Sequence, residues 1–296
     1  MNMISLVGEQ PLPVLLPSLH LNPGNHLLVH TERTRVVAKR LSQFIPACSL
    51  KSVPAYGFDD VRRAVQEGVD PDQGWVLNLT GGTKMMALAA FSLAVDHSLQ
   101  FVYLKSENQQ NVLMSYSFQD GEHRKDHAYQ LPELIDLDQY LRVHLPGFTR
   151  EGPNKNQDGT LSEGGKFERA LAEALEDEFD EVMVGVRPEG VADQIEIDLL
   201  IRKGNEVGII EAKTSGRHQP KRGIDQLTTA GSRKYLGTYT HRFFIVGSMP
   251  EDQRVKVLAA ENNIHIIPMV GYSRGKLSSN DRRRLLARLL EKMEPA

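Results

Sequence analysis

The chain has 296 residues, of which 40% are hydrophobic and 25% charged, a balance that lets each half bury a core and excludes wholesale disorder, collagen, coiled-coil and low-complexity classes. With 35 basic and 38 acidic residues the formal net charge is -3, so a nucleic-acid partner would have to be met by a local basic patch and not by bulk charge. The single Cys48 rules out an internal disulfide or a multi-cysteine zinc site. The start MNMISLVGEQPLP lacks the regions of a secretory signal, and no run of about 18 apolar residues is present to span a bilayer. A cytoplasmic protein of two domains, without membrane contact, is expected.

From residue 1 to about 130, apolar β-rich runs (ISLVG, HLLVH, WVLNLT, QFVYLK) alternate with helical segments beginning near Glu32, Asp59 and Gly81. That rhythm predicts a parallel sheet with crossover helices. The run 75–79 fits a strand covered on both faces, and 84–95 is a strongly apolar helix that follows at once. An antiparallel edge is expected at 111–118. The stretch 146–165 is dense in Pro, Gly, Asn and Asp and reads as linker, dividing the chain into 1–145 and 160–296. Beyond it the order changes: a helix over about 163–179, then strands near 181–187, 194–202 and 206–213, the last two forming a hairpin across Lys203-Gly204-Asn205. A helix at 221–235, a strand at 242–246, a helix at 251–262, a strand at 264–267 and a basic helix from 279 complete a second α/β unit.

Period-two alternation in 195–201 puts Ile195, Ile197, Leu199 and Ile201 on one face and Glu196 and Asp198 on the other. In the next strand Ile209, Glu211 and Lys213 share a face, and the hairpin can bring Asp198 beside Glu211. Two carboxylates and an ammonium then converge. That set suits phosphodiester hydrolysis assisted by Mg²⁺ or Mn²⁺, with the Ala212 carbonyl as a further oxygen ligand and Lys213 orienting water or offsetting developing charge. Upstream, Glu168 lies at the border of the apolar stripe Phe167, Leu171, Ala174 and Leu175, from where it can lean towards the sheet. Downstream, Gln226 can hold a water or a phosphate oxygen. Glu168, then Asp198, twelve intervening residues, Glu211-Ala212-Lys213 and finally Gln226 resemble the PD-(D/E)XK nuclease superfamily over about 155–296. Glu196 and Asp193 are rival acids, read as solvated. Nine Lys or Arg against three acids between 202 and 242, Arg217, Lys221 and Arg222 among them, can track a nucleic-acid backbone. Arg282, Arg283, Arg284 and Arg288 on the last helix are read chiefly as a solvated face.

In the first half, Asn78-Leu79-Thr80-Gly81-Gly82-Thr83-Lys84 ends a buried strand and opens a helix, where free backbone N–H groups favour an anion. Neither the Walker loop nor the G-x-G-x-x-G dinucleotide pattern is present. With SLVGEQPLP at the start, NLTGGTKMM resembles the CARF domain, in the group fused to nucleases that acts as a CRISPR ancillary nuclease. The resemblance implies a Rossmann-like amino-terminal domain that dimerises and binds one cyclic oligoadenylate, most often cyclic tetra-adenylate, across the two-fold axis. It carries ligand contacts over to Thr80, Gly81, Gly82, Thr83 and Lys84, and with less support to Gly8, Gln10, Thr31, Met85 and Ser106. Some relatives place a winged helix between sensor and nuclease, for which this chain has no room. The function expected is a homodimeric, ring-activated, metal-dependent nuclease of DNA or RNA in type III CRISPR antiviral defence. The alternatives are a ligand-responsive nucleic-acid-binding regulator without cleavage and a repair nuclease that needs no activator.

Overall fold

The computed structural model describes all residues except 69–72, 108, 120–121, 191–194, 216–219 and 295–296. Backbone contacts divide the chain into two α/β units, Met1–Leu134 and Ile135–Ala296, each with its own sheet.

The first unit begins with β1 (Asn2–Leu6), α1 (Leu12–Leu21), β2 (Asn25–His30), α2 (Arg35–Leu41), β3 (Cys48–Ser52) and α3 (Phe58–Gly68). It continues through β4 (Trp75–Asn78), α4 (Lys84–Asp96), β5 (Gln100–Glu107), β6 (Gln110–Gln119) and β7 (Glu122–Gln130). The strand order is β3-β2-β1-β4-β5-β6-β7, parallel from β3 to β5 and antiparallel thereafter. β1 lies at the centre and is buried along its whole length, as its run of apolar residues requires. Alternation sends Ile4 and Leu6 with Val29 and Leu77 against Val61 and Val65 of α3 and Met86, Ala90 and Leu93 of α4. Ser5 points to the opposite face, where its hydroxyl meets His26 Nε2 at 2.9 Å. The chain doubles back between β1 and β4: β1 leads outward to β2 and β3, while β4 returns to the other flank. Their carboxyl ends, where Asn78 lies opposite Ser5 and Leu6 opposite Val29, border the crevice in which open α/β sheets take ligands.

The second unit contains α5 (Leu137–His144), β8 (Phe148–Arg150), α6 (Glu163–Leu175), β9 (Glu181–Pro188), β10 (Ile197–Lys203) and β11 (Glu206–Lys213). It ends with α7 (Pro220–Ala230), β12 (His241–Val246), α8 (Gln253–Glu261), β13 (Ile264–Pro268) and α9 (Ser279–Met293). The order is β13-β12-β11-β10-β9-β8; β11, β12 and β13 are parallel and the other neighbours antiparallel. One face, carrying Leu199, Ile201, Ile210, Ala212, Phe243 and Ile245, packs against Phe167, Leu171 and Leu175 of α6 and Leu285 and Leu289 of α9. Phe244, on the other face, fills the place a side chain at Gly223 would take, which seats α7 there.

Three expectations are corrected. The segment 111–118 is in β6, but the edge of the sheet is β7, whose polar run EHRKDHAYQ needs only backbone pairing on one side. The stretch read as linker is built into the second unit: β8 pairs with β9, and Lys155 bridges Leu161. α5 also belongs there and not with residues 1–134, because the buried Tyr140 hydroxyl donates to the Leu236 carbonyl at 2.8 Å and meets Thr240 Oγ1 at 2.6 Å. Asp193 and Arg217 lie outside the described residues.

Candidate functional site

Two sets of side chains stand at strand ends, one in each unit. In the first, Gly81 and Gly82 let the loop after β4 press on the loop after β1. A Cβ on Gly81 would collide with the Leu6 carbonyl, one on Gly8 would sit 3.2 Å from Gly82 N, and Gly82 has φ 77°. The loop is held by neutral hydrogen bonds. Asn78 is fully buried; its Nδ2 donates to the Pro13 carbonyl at 2.9 Å, and its Oδ1 accepts from the Thr80 N–H at 3.1 Å and hydroxyl at 2.7 Å. The Thr80 hydroxyl in turn accepts from Leu104 N at 2.8 Å. Thr83 caps α4, accepting from Met86 N at 3.2 Å while donating to the Ala55 carbonyl at 2.7 Å.

Both threonine hydroxyls are therefore occupied in holding the loop, and what faces outward is backbone, glycine and the exposed Lys84 in the first turn of α4. Gly8, Gln10 and Met85 are half-buried around it. Thr31 is at the level end of β2 but buried, with its hydroxyl against Thr34 Oγ1 at 3.2 Å, so it closes a turn. Ser106 pairs with Asn111, four residues past the partner of Asn78 along β5, or roughly 13 Å. It is the outlier of the set. Asn78, missed as a site residue, was marked by its place in the otherwise apolar WVLNL.

In the second unit the ladder ends with Leu199 against Ile210, and Asp198 and Glu211 are the next residue on each strand. Asp198, Glu211 and Glu168 are all buried, at 5%, 2% and 2% exposure. Asp198 Oδ2 accepts from Ala212 N at 2.7 Å, so Ala212 already contributes its N–H to the cluster. Lys213 Nζ stands 2.5 Å from Glu211 Oε1 as an ion pair. Burial pushes the Asp198 carboxyl well above its ordinary range and the charge of Glu211 pushes it further; Lys213 and the Ala212 N–H only partly oppose this. Burial likewise raises Glu211, against the pull of Lys213. For Lys213, burial acts downward, but Glu211, Asp198 and Glu168 outweigh it and hold the ammonium above its usual value. The Glu168 charge acts on all three groups.

This donor set fits a hard divalent cation: buried carboxylates outnumber the one ammonium among them. Among the described residues no group of three or more His, Cys, Asp or Glu side chains is placed to hold a metal ion, so the fit rests on the pair Asp198 and Glu211. Gln226, half-buried on α7, has a buried Oε1 without a hydrogen-bond partner. Glu196 is 31% exposed and bonded to Arg187 at 3.4 Å. Lys221 and Arg222 are exposed at the start of α7. On α9, Arg282 pairs with Asp177, Arg284 with Asp281 and Arg288 with Glu291, in accord with a solvated face.

The chain thus has a mostly parallel α/β unit with a glycine-rich loop at its switch point, followed by a second sheet holding buried acids. Residues 3–140, which take in nearly all of the amino-terminal unit, match the family model of the Card1 CARF domain. The whole chain shares its fold with Can2 from Sulfobacillus thermosulfidooxidans, solved in complex with cyclic tetra-adenylate, at 18% identity, 99% coverage of both chains and a TM-score of 0.75. VC1899 from Vibrio cholerae is similar at 11% identity, 99% and 98% coverage and a TM-score of 0.73. A type III CRISPR defence DNA nuclease activated by cyclic oligoadenylate matches at 15% identity and a TM-score of 0.65, over 97% of this chain and 52% of its own. Among curated proteins no sequence matches.

Proposed function

We propose that the protein is a nuclease switched on by a cyclic oligoadenylate, with cyclic tetra-adenylate the first ring to test, acting in type III CRISPR defence. The observation that carries the reading is the buried set of Asp198, Glu211 and Lys213, with Glu168 beside it, in the chain whose amino-terminal unit matches the CARF family model. Asp198 and Glu211 would hold Mg²⁺ or Mn²⁺, with the Ala212 carbonyl as a further ligand. The bound ion would supply Lewis-acid polarisation of the scissile phosphate and acidify a water. Lys213, held protonated by its neighbours, offsets the negative charge that builds on the phosphoryl oxygens as the bond breaks. Gln226 orients water or a phosphate oxygen through its amide. Lys221 and Arg222 line the approach of a DNA or RNA backbone.

In the CARF unit the Gly81, Gly82 and Lys84 backbone and ammonium receive ring phosphate, while Thr80 and Thr83 hold the loop in shape; Gly8, Gln10 and Met85 border it. A two-fold symmetric ring offers the same groups to two copies, so the working form is a homodimer in which each Lys84 is used once. The ring activates because it binds the cutting-competent arrangement more tightly than the resting one; equal affinity would shift nothing.

The test is cleavage of single-stranded, supercoiled and RNA substrates with Mn²⁺, with and without cyclic tetra-adenylate and rings of other sizes. Ring-dependent cutting is expected. Equal cutting without any ring would replace the reading with an activator-independent nuclease, and ring-dependent binding of nucleic acid without cutting would make it a regulator.

A further inference from the structure

The segment just before α6 does more than join two parts of the chain. Glu151 N donates to the Gly185 carbonyl of β9 at 2.8 Å, and a Cβ on Gly185, which has φ 64°, would collide with the Gly152 carbonyl. Three residues on, the Asn154 carbonyl accepts from Ser162 N at 3.0 Å and from its hydroxyl at 3.1 Å, and a Cβ on Gly165 would collide with it. Residues 151–154 are thus wedged between the first turn of α6 and β9, with a glycine cleared on either side.

What the wedge presents is Asn154. Its backbone N–H donates to Glu168 Oε2 at 2.9 Å and its Nδ2 to Oε1 at 2.8 Å, so both oxygens of one buried carboxylate are gripped by one residue. Two bonds from a single rigid residue fix the carboxylate plane as well as its position. Both donors are neutral, so the negative charge of Glu168 is left for the cluster, whereas an arginine in the same place would cancel it.

We infer that Asn154 is a positioning residue: it fixes the Glu168 carboxylate so that its charge acts on Asp198 and Glu211, the pair that would hold the cation. The inference rests on the nuclease reading and concerns Glu168, which that reading leaves without a fixed task. The experiment uses the full chain as parent, Asn154→Ala, Asn154→Asp, Glu168→Gln and the two double variants. Three quantities are read: Mn²⁺ binding without substrate, from the electron paramagnetic resonance of free Mn²⁺; kcat and KM for cutting; and the melting temperature.

Asn154→Ala is expected to weaken Mn²⁺ binding at least about fivefold and to lower kcat about 10- to 100-fold, with KM within about twofold. Asn154→Asp, equal in size but an acceptor facing an acceptor, is expected to lose more. In the Glu168→Gln background either change should alter binding and kcat by less than about twofold, because the group being aimed is gone. Superimposable Mn²⁺ isotherms for parent, Asn154→Ala and Asn154→Asp would overturn the inference. So would a fall in melting temperature and kcat that persists undiminished in the Glu168→Gln background, since that is the signature of a merely structural role. A parent that cuts none of the substrates but shows the Glu168-dependent change in Mn²⁺ binding would retain the inference and retire the nuclease reading.

Discussion

The two candidate sites solve opposite electrostatic problems with the same kind of scaffold. The loop after β4 is shaped by uncharged groups: Asn78, Thr80 and Thr83 close their hydrogen bonds on one another and on backbone, Lys84 brings a charge, and the loop after β1 carries Glu9, paired with Arg33. Nothing there is stored. The cluster in the second unit gathers three buried carboxylates around one lysine, at a standing cost in desolvation and repulsion. The contrast teaches that the anion site proposed for the first unit would be ready-made, whereas the metal site proposed for the second would be completed by what it binds. Experiments that change one charge at a time break or sharpen that contrast.

The largest effect is expected at Glu211. Glu211→Ala should lower cutting by about a thousandfold or more, the equivalent of about 4 kcal/mol of transition-state stabilisation, and leave the affinity for cyclic tetra-adenylate unchanged in equilibrium binding. Retained cutting of DNA and RNA would remove Glu211 from the site.

Next in size is the response of each unit to pH. Burial lowers His26, in the first unit, from 6.5 to about 4. Between these values the unfolded chain binds a proton that the folded unit refuses, so stability is present above pH 6.5 and is lost as pH falls, by up to about 3 kcal/mol. In the second unit the raised Asp198 and Glu211 act with the opposite sign. The folded state holds protons that the unfolded chain has released, so without metal its stability declines as pH rises from the ordinary carboxylate range towards the raised values. Urea unfolding with chelator from pH 4 to 8, followed by hydrogen exchange in each unit, should show slopes of opposite sign; parallel slopes would contradict the contrast.

A smaller effect isolates the stored repulsion. Asp198→Asn keeps an acceptor for Ala212 N and removes one buried charge, so the metal-free protein should gain about 1 to 3 kcal/mol at pH 8 and lose the stabilisation that Mn²⁺ gives the parent. A metal-free variant less stable than its parent would show that the repulsion is already relieved. Smallest is Lys84→Ala, which removes one charge-assisted contact per subunit and should weaken ring binding about tenfold without moving the melting temperature of the free protein.

Most of this was legible wherever burial imposes a pattern. WVLNL, followed by two glycines and an apolar helix, marks β4 and its loop, and the alternation in IEIDLLI together with the Glu211-Ala212-Lys213 spacing brings Asp198 beside Glu211. Elements that bury little leave no such trace. β3 (CSLKS) and β7 are polar edge strands, β8 is three residues long, and α1 opens among prolines with Pro17 inside it, so composition argues for loop where tertiary packing makes a helix. Asn154 was hidden for the same reason. Its neighbours Gly152, Pro153 and Gly159 look like linker, and only the fold shows that Gly165 clears space for Asn154 and Gly185 for Gly152. Thr31 and Ser106 show the converse limit: proximity to a strand end says where a residue is, not whether its hydroxyl is available.

The polar outer strand of the first sheet has a practical corollary for anyone trimming the gene. β7 covers β6, whose run NVLMSYSF would otherwise offer a bare row of amide and carbonyl groups beside Leu113 and Met114. A fragment cut near residue 119 would present a sticky border prone to aggregate, while one ending after Leu134 keeps its charged selvedge.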